Sequence, residues 1–204
     1  MNIKNWLDKK IEPVKIHYED ENAVQIISKQ LVSLLPKQNR PIVFICIGTD
    51  RSTGDSLGPL VGTLLEEKQL SSFHVLGTLD DPVHAVNLQE KLHKVHSTFD
   101  NPFIIGIDAC LGRLKSIGCI QIDLGPVKPG AGVQKNLPPV GDAHLTGIVN
   151  VSGFMEFFVL QNTRLNLVMK MAKIISRGIL EASYLYPVKK SFYPLELKER
   201  QQLP

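Results

Sequence analysis

Asp55 stands in the stretch Cys46-Ile47-Gly48-Thr49-Asp50-Arg51-Ser52-Thr53-Gly54-Asp55-Ser56-Leu57-Gly58-Pro59, and Asp108 directly follows the apolar run Phe103 to Ile107. Two carboxylates converging on one rim can share a proton and activate water, one as base and the other as acid. The same pair can bind a divalent metal. Each can instead cap the turn or helix that follows it, which is the plainest use of an aspartate at such a place. Asp50 adds a third acid, of a type that often orients its own turn through nearby backbone N–H groups. Arg51 offers a fork for a carboxylate or a carbonyl, or simply a surface charge.

The glycines of this stretch superficially suggest a phosphate loop. It lacks the lysine followed by Ser or Thr that such a loop requires, and Asp55 would repel phosphate. His93 and His96 lie three apart on a helical pattern with no Cys or carboxylate at matching spacing, so a solvated face is their better reading. His144, close to Asp142 and after a long Gly/Pro stretch, is open to three readings: metal ligand, general base or plain loop histidine. No G-x-S-x-G elbow is present and the cysteines lack an activating context, which disfavours a Ser or Cys hydrolase.

These residues need a scaffold that brings strand ends together. Ile42 to Ile47 reads as a strand covered on both faces, because its apolar run is almost continuous. Gly58-Pro59 opens a helix whose buried stripe is Leu60, Val61, Leu64 and Leu65; proline is tolerated in a first turn. Further strands are expected at Phe73–Leu79, Phe103–Ile107, Ile117–Leu124 and Leu145–Val151. Helices are expected from near Asp20 to Leu35, from Val83 to Ser97, from Ser152 to Leu160 and from Leu165 to Ser183. Gly125 to Val140 is the longest irregular stretch, a length that in a compact domain tends to be functional. Strands alternating with helices predict a three-layer α/β/α domain with a mostly parallel central sheet. In such a sheet ligands sit at the carboxyl ends of the strands, where Asp55 and Asp108 both fall. Residues 1–18 read as an N-terminal arm, 19–186 as one domain and 187–204 as a tail.

The chain of 204 residues is long enough for one domain with a real core. Its net charge of +3 is too weak, and its Lys and Arg too scattered, to argue for nucleic acid. Three cysteines without CxxC spacing fit a reducing compartment. No apolar run approaches the roughly 18 residues of a membrane helix, and the N-terminus lacks a signal-peptide core. A cytoplasmic protein with neither nucleic acid nor membrane as partner is expected.

Phe44 to Pro59, Ile104 to Arg113 and Ile120 to Val133 resemble the sporulation-specific YyaC family, with Val149 to Met155 and Leu160 to Leu165 adding support. That family is similar to the germination protease of spore-forming bacteria and, more distantly, to the hydrogenase maturation endopeptidases. The resemblance spans roughly 40–177. Asp55-Ser56-Leu57-Gly58-Pro59 matches the segment carrying one catalytic aspartate of the germination protease. Ile107-Asp108-Ala109-Cys110-Leu111 matches the segment carrying the second, with one inserted cysteine. Pro129-Gly130-Ala131-Gly132-Val133 matches a Pro-Gly-Ser-Gly-Val loop, and Gly77-Thr78 with Pro82-Val83 match a Gly-Thr and Pro-Gly-Val pair. The resemblance implies a hydrogenase maturation protease-like fold and a peptidase with Asp55 and Asp108 as catalytic acids. Substrate contacts are then expected from Gly48, Thr49, Asp50, Arg51, Thr78, Gly130 and Gly132. The implied substrate is a protein or peptide, spore proteins among them, inside the forespore or spore. A second copy of the chain remains an option as partner. No cofactor is expected. Two alternatives stand beside this: a non-catalytic peptide-binding regulator on the same fold, and a metal-dependent processing endopeptidase using Asp55, Asp108 and His144.

Overall fold

Ile42–Cys46 is buried at every position and forms the inner strand of the sheet, as a two-face apolar run must. The structure, a computed structural model, describes residues 12–68, 70, 72–130 and 137–186. In chain order the elements are β1 (Val14–His17), α1 (Ala23–Leu34), β2 (Ile42–Cys46), α2 (Leu57–Glu66), β3 (Phe73–Leu76), α3 (Leu88–Thr98), β4 (Phe103–Gly112), β5 (Cys119–Leu124), β6 (Ala143–Val151), α4 (Glu156–Gln161) and α5 (Leu165–Leu185).

The sheet runs β1-β5-β6-β4-β2-β3. The β6-β4-β2-β3 block is parallel, while β5 and β1 add antiparallel at one side. The sheet is therefore mixed around a parallel centre. Alternate residues of each strand serve opposite faces. Phe44, Ile105, Ile107, Ile120, Ile122 and Leu145 face the helices α1, α2 and α5 in one core. Val43, Ile45, Ile47 and Ile104 pack with Leu88 and Val95 of α3 and with Val127 and Val140 in the other. The second helical layer is thus the thinner of the two.

Four sequence expectations are corrected here. The segment read as an arm contains β1, whose Val14 and Ile16 pair with Ile122 and Ile120; Lys15 Nζ donates to Ser116 Oγ at 2.8 Å. The helix expected from Val83 starts at Leu88, because Val83 is held in a parallel bridge to Ile47. The helix expected from Ser152 starts at Glu156, with Met155 in the left-handed region at φ 57. Its apolar residues Phe154, Phe157 and Phe158 are exposed, not buried. Strand β4 does not stop at Ile107; it continues against β6 to the pair Gly112–Val151, with a register shift between Cys110 and Leu111. The stretch 187–204, read as a tail, lies outside the described residues.

That last correction fixes where Asp108 sits. β2 ends with Cys46 opposite Ile107 of β4. Asp108 is therefore the first β4 residue beyond its pairing with β2, and burial along β4 relaxes there after five fully buried positions. β2 leads through α2 to β3 on one side, and β3 leads through α3 to β4 on the other. A crevice opens where such connections diverge, at the carboxyl ends of the strands.

Candidate active site

A cavity of about 500 Å³ occupies this crevice and is lined by both Asp55 and Asp108. Gly48, Thr49, Arg51 and Ser52 contribute from the loop after β2, His84 and Ala85 from the loop after β3, and Cys110 and Leu111 from β4. Glu156, Phe157 and Leu160 of α4 close one side. Apolar surface dominates the lining, so charges inside it are only partly hydrated.

The loop carrying Asp55 is held by its own backbone and its neighbours. Ile47 N–H donates to Ile107 O at 2.7 Å, Gly48 N–H to Val83 O at 2.8 Å and Gly54 N–H to Leu160 O at 2.8 Å. Thr49 N–H closes the loop on Asp55 O at 3.2 Å. Gly48 makes that closure sterically permissible: its φ is +148 and a Cβ there would lie 1.9 Å from Asp55 O. Gly77, at φ +92, lets the second loop approach the first, since its Cβ would lie 2.0 Å from Cys46 O. The two rim loops are thus built against each other.

Burial pushes the Asp55 carboxyl up from the ordinary carboxylate range, opposed by the nearby Ser52 hydroxyl. That hydroxyl is buried and makes no hydrogen bond of good geometry among the described residues, so its influence on Asp55 is that of a close dipole. Asp108 is pushed up further: burial is the largest cause, the Ala109 N–H opposes it, and the charge of Asp55 adds to it. Ala109 N–H donates to Asp108 Oδ1 at 2.9 Å. A charged Asp55 thus favours the neutral form of Asp108, so the pair carries one proton in preference to none.

Of the expected substrate contacts, Gly48, Thr49, Arg51 and Gly130 line the cavity. Asp50 is exposed and stands outside the lining; its carboxylate accepts the Thr49 hydroxyl at 3.4 Å. The Thr49 hydroxyl, not Asp50, receives the Arg51 N–H, at 3.3 Å. Thr78 is buried beneath the second loop, where its Oγ1 accepts the Asp81 N–H at 3.1 Å. Gly132 lies outside the described residues. His144 is also apart from the cavity: it pairs with Gly106, two residues before Asp108, and its Nδ1 lies 2.9 Å from Gly125 O. The trio Asp55, Asp108 and His144 is therefore not brought together. Among the described residues no three His, Cys, Asp or Glu side chains converge to hold a metal ion, and no helix is long and apolar enough to cross a membrane.

The site also contains residues that sequence reading passed over, chiefly His84, Ser52, Glu156 and Phe157. His84 was legible as part of the second strand-to-helix loop, but assigning Val83 to a helix start hid it. Glu156 and Phe157 lie on the helix expected from Ser152 to Leu160, and nothing in that local pattern ties it to the cavity.

The parallel block, the divergent crossovers and the crevice at their carboxyl edge define the fold of the hydrogenase maturation proteases. The structure is similar to that of the NiFe hydrogenase maturation protease HycI from Thermococcus kodakarensis KOD1, with a TM-score of 0.53 and 19% identity over 76% of this chain and 98% of that one. The chain belongs to the family described as "Protein of unknown function (DUF1256)", whose model matches residues 15–178, from β1 into the last turns of α5. It is 59% identical over 182 residues to "Uncharacterized protein YyaC" of Bacillus subtilis (strain 168), covering 88% of this chain and 89% of that relative.

Proposed function

We propose that this protein is a peptidase that hydrolyses peptide bonds with Asp55 and Asp108 as a paired-aspartate site. The observation that carries the proposal is the meeting of the two acids, with raised proton affinity, in one largely apolar cavity. Asp108, the more strongly shifted, holds the shared proton, and Asp55, with Ser52 nearby, carries the charge. Asp55 then takes a proton from water as it attacks the carbonyl, and Asp108 delivers its proton to the departing nitrogen. A cavity of about 500 Å³ with a largely apolar lining beside two rim loops suits a polypeptide segment, and the ordered match to the germination protease supports spore proteins as first substrates. The name of the structural neighbour, a maturation protease, agrees with a protein substrate.

The test incubates the full chain with small acid-soluble spore proteins and with a peptide mixture from a whole proteome, reading new termini by mass spectrometry. Cleavage is expected from the wild type and is lost in Asp55→Asn and in Asp108→Asn. Undiminished cleavage in both variants, or none by the wild type, refutes the proposal. A peptide-binding regulator is the second reading, favoured by the exposed Phe157 in the cavity lining and by the exposed Phe154 and Phe158 close to it in the chain; it predicts capture of peptides without new termini.

A further inference from the structure

We infer that His84 is a third catalytic residue of the cavity, a hydrogen-bond donor to the carbonyl oxygen of the bond being cut; this rests on the peptidase reading and extends it. His84 lines the same cavity as Asp55 and Asp108. Its position is fixed from both sides. The residue before it, Val83, forms the parallel bridge to Ile47 and accepts the Gly48 N–H at 2.8 Å. Gly48 is followed by Thr49, whose N–H is bonded to Asp55 O at 3.2 Å. Two backbone hydrogen bonds therefore connect the His84 segment to the backbone of Asp55. On the other side, His84 N–H donates to Asn87 Oδ1 at 2.8 Å while Asn87 Nδ2 donates to Pro82 O at 2.9 Å. Leu88 N–H then closes on His84 O at 2.9 Å.

One hydrogen bond to the ring also favours a single tautomer. Val86 N–H donates to His84 Nδ1 at 3.3 Å, so Nδ1 is the acceptor and the neutral imidazole carries its proton on Nε2. Among the described residues, Nε2 has no protein partner. An N–H donor in the wall of the cavity that holds both carboxyl groups would supply what the pair lacks, a partner for developing negative charge.

The step balances without any further reactant than water. The water oxygen bonds to the carbonyl carbon as its proton passes to Asp55, and the carbonyl electron pair moves onto oxygen, where His84 Nε2–H meets it. When that pair re-forms the carbonyl, the C–N bond breaks with its electrons on nitrogen, and the Asp108 proton goes to that nitrogen. The pair ends with its single proton on Asp55.

The experiment measures kcat and KM of His84→Ala and His84→Gln on whichever spore protein or peptide the wild type cleaves, with thermal melts to report folding. It also records ring nitrogen NMR of the wild type at neutral pH. Loss of one such donor lowers kcat roughly 10²–10³-fold. His84→Ala is expected to show that loss with KM changed less than about threefold, and His84→Gln, whose amide restores a donor, to recover at least about tenfold of it. Unchanged kcat in His84→Ala while the two aspartate variants are inactive overturns this inference alone. No cleavage by the wild type, or full cleavage by both aspartate variants, overturns the peptidase reading and this inference with it. A proton found on Nδ1 overturns the inference independently of any cleavage.

Discussion

Replacing Asp108 by Asn keeps the shape of the side chain and the acceptor for the Ala109 N–H, but removes an ionisable group whose charge the cavity disfavours. The folded state binds the Asp108 proton more tightly than the unfolded chain does. Below the unfolded carboxylate pKa, about 3.9, both states are protonated and the group costs nothing. As pH rises through that value the unfolded chain ionises first, so stability falls; it goes on falling until the folded carboxyl also ionises, and above that the full cost is present. Asn escapes this loss. Among the described residues, Asp108 accepts one backbone N–H, against roughly four acceptor sites on a carboxylate. An under-satisfied buried group costs about 1–3 kcal/mol, and each kcal/mol moves the melting temperature about 2–4 °C in a chain of this size. Asp108→Asn should therefore melt roughly 2–12 °C above the wild type at pH 8, with the gain shrinking towards zero near pH 4, while cleavage is lost. Calorimetric melts of both proteins from pH 4 to 9 check this. An equal gain at both ends of the range, or a destabilised variant at pH 8, would refute the reasoning.

Gly48→Ala places a Cβ 1.9 Å from Asp55 O in a left-handed backbone; we expect a loss of at least about 2 kcal/mol, read by urea unfolding, together with loss of cleavage. Burial pushes the Cys110 thiol up to about 11. Although it lines the cavity, its alkylation by iodoacetamide at pH 8 should run roughly a hundredfold slower than that of free cysteine, since the thiolate is the reactive form; timed peptide mapping measures it, and labelling at the free-cysteine rate would contradict the packing around it.

The parts of the fold legible in sequence were those whose signal is local. β2 declares itself because five consecutive buried residues cannot be anything solvated, and α5 because Val168, Ala172, Ile175 and Ile179 recur on one buried face. What stayed hidden depends on distant partners. The four residues of β1 carry too short a pattern to read as a strand, and they form one through β5. The end of β4 lies where β6 stops pairing with it, which no property of Asp108 itself announces. His84 was obscured because Pro82-Val83 looks locally like a helix start, whereas Ile47 captures Val83 into a bridge. Asp55 and Asp108 were legible because strand ends share a rim in any parallel sheet, while the choice among the readings of His144 depends on its register opposite Gly106, two positions short of Asp108, which sequence spacing does not encode.

The pairing of β1 has a consequence for how the chain survives its own synthesis. Lys15 and Ser116, which hold this strand at the sheet edge, are 101 residues apart. Loops of that length close late, so β5 emerges and pairs with β6 while its outer edge is still bare. Ile120 and Ile122 stand on that edge, a row of unpaired backbone groups that a neighbouring chain could extend. The small N-terminal strand would thus shield that edge from a neighbouring chain. A chain clipped after His17 would keep every described residue of the cavity and yet be drained into aggregates, so its failure would register as lost yield long before it registered as lost chemistry.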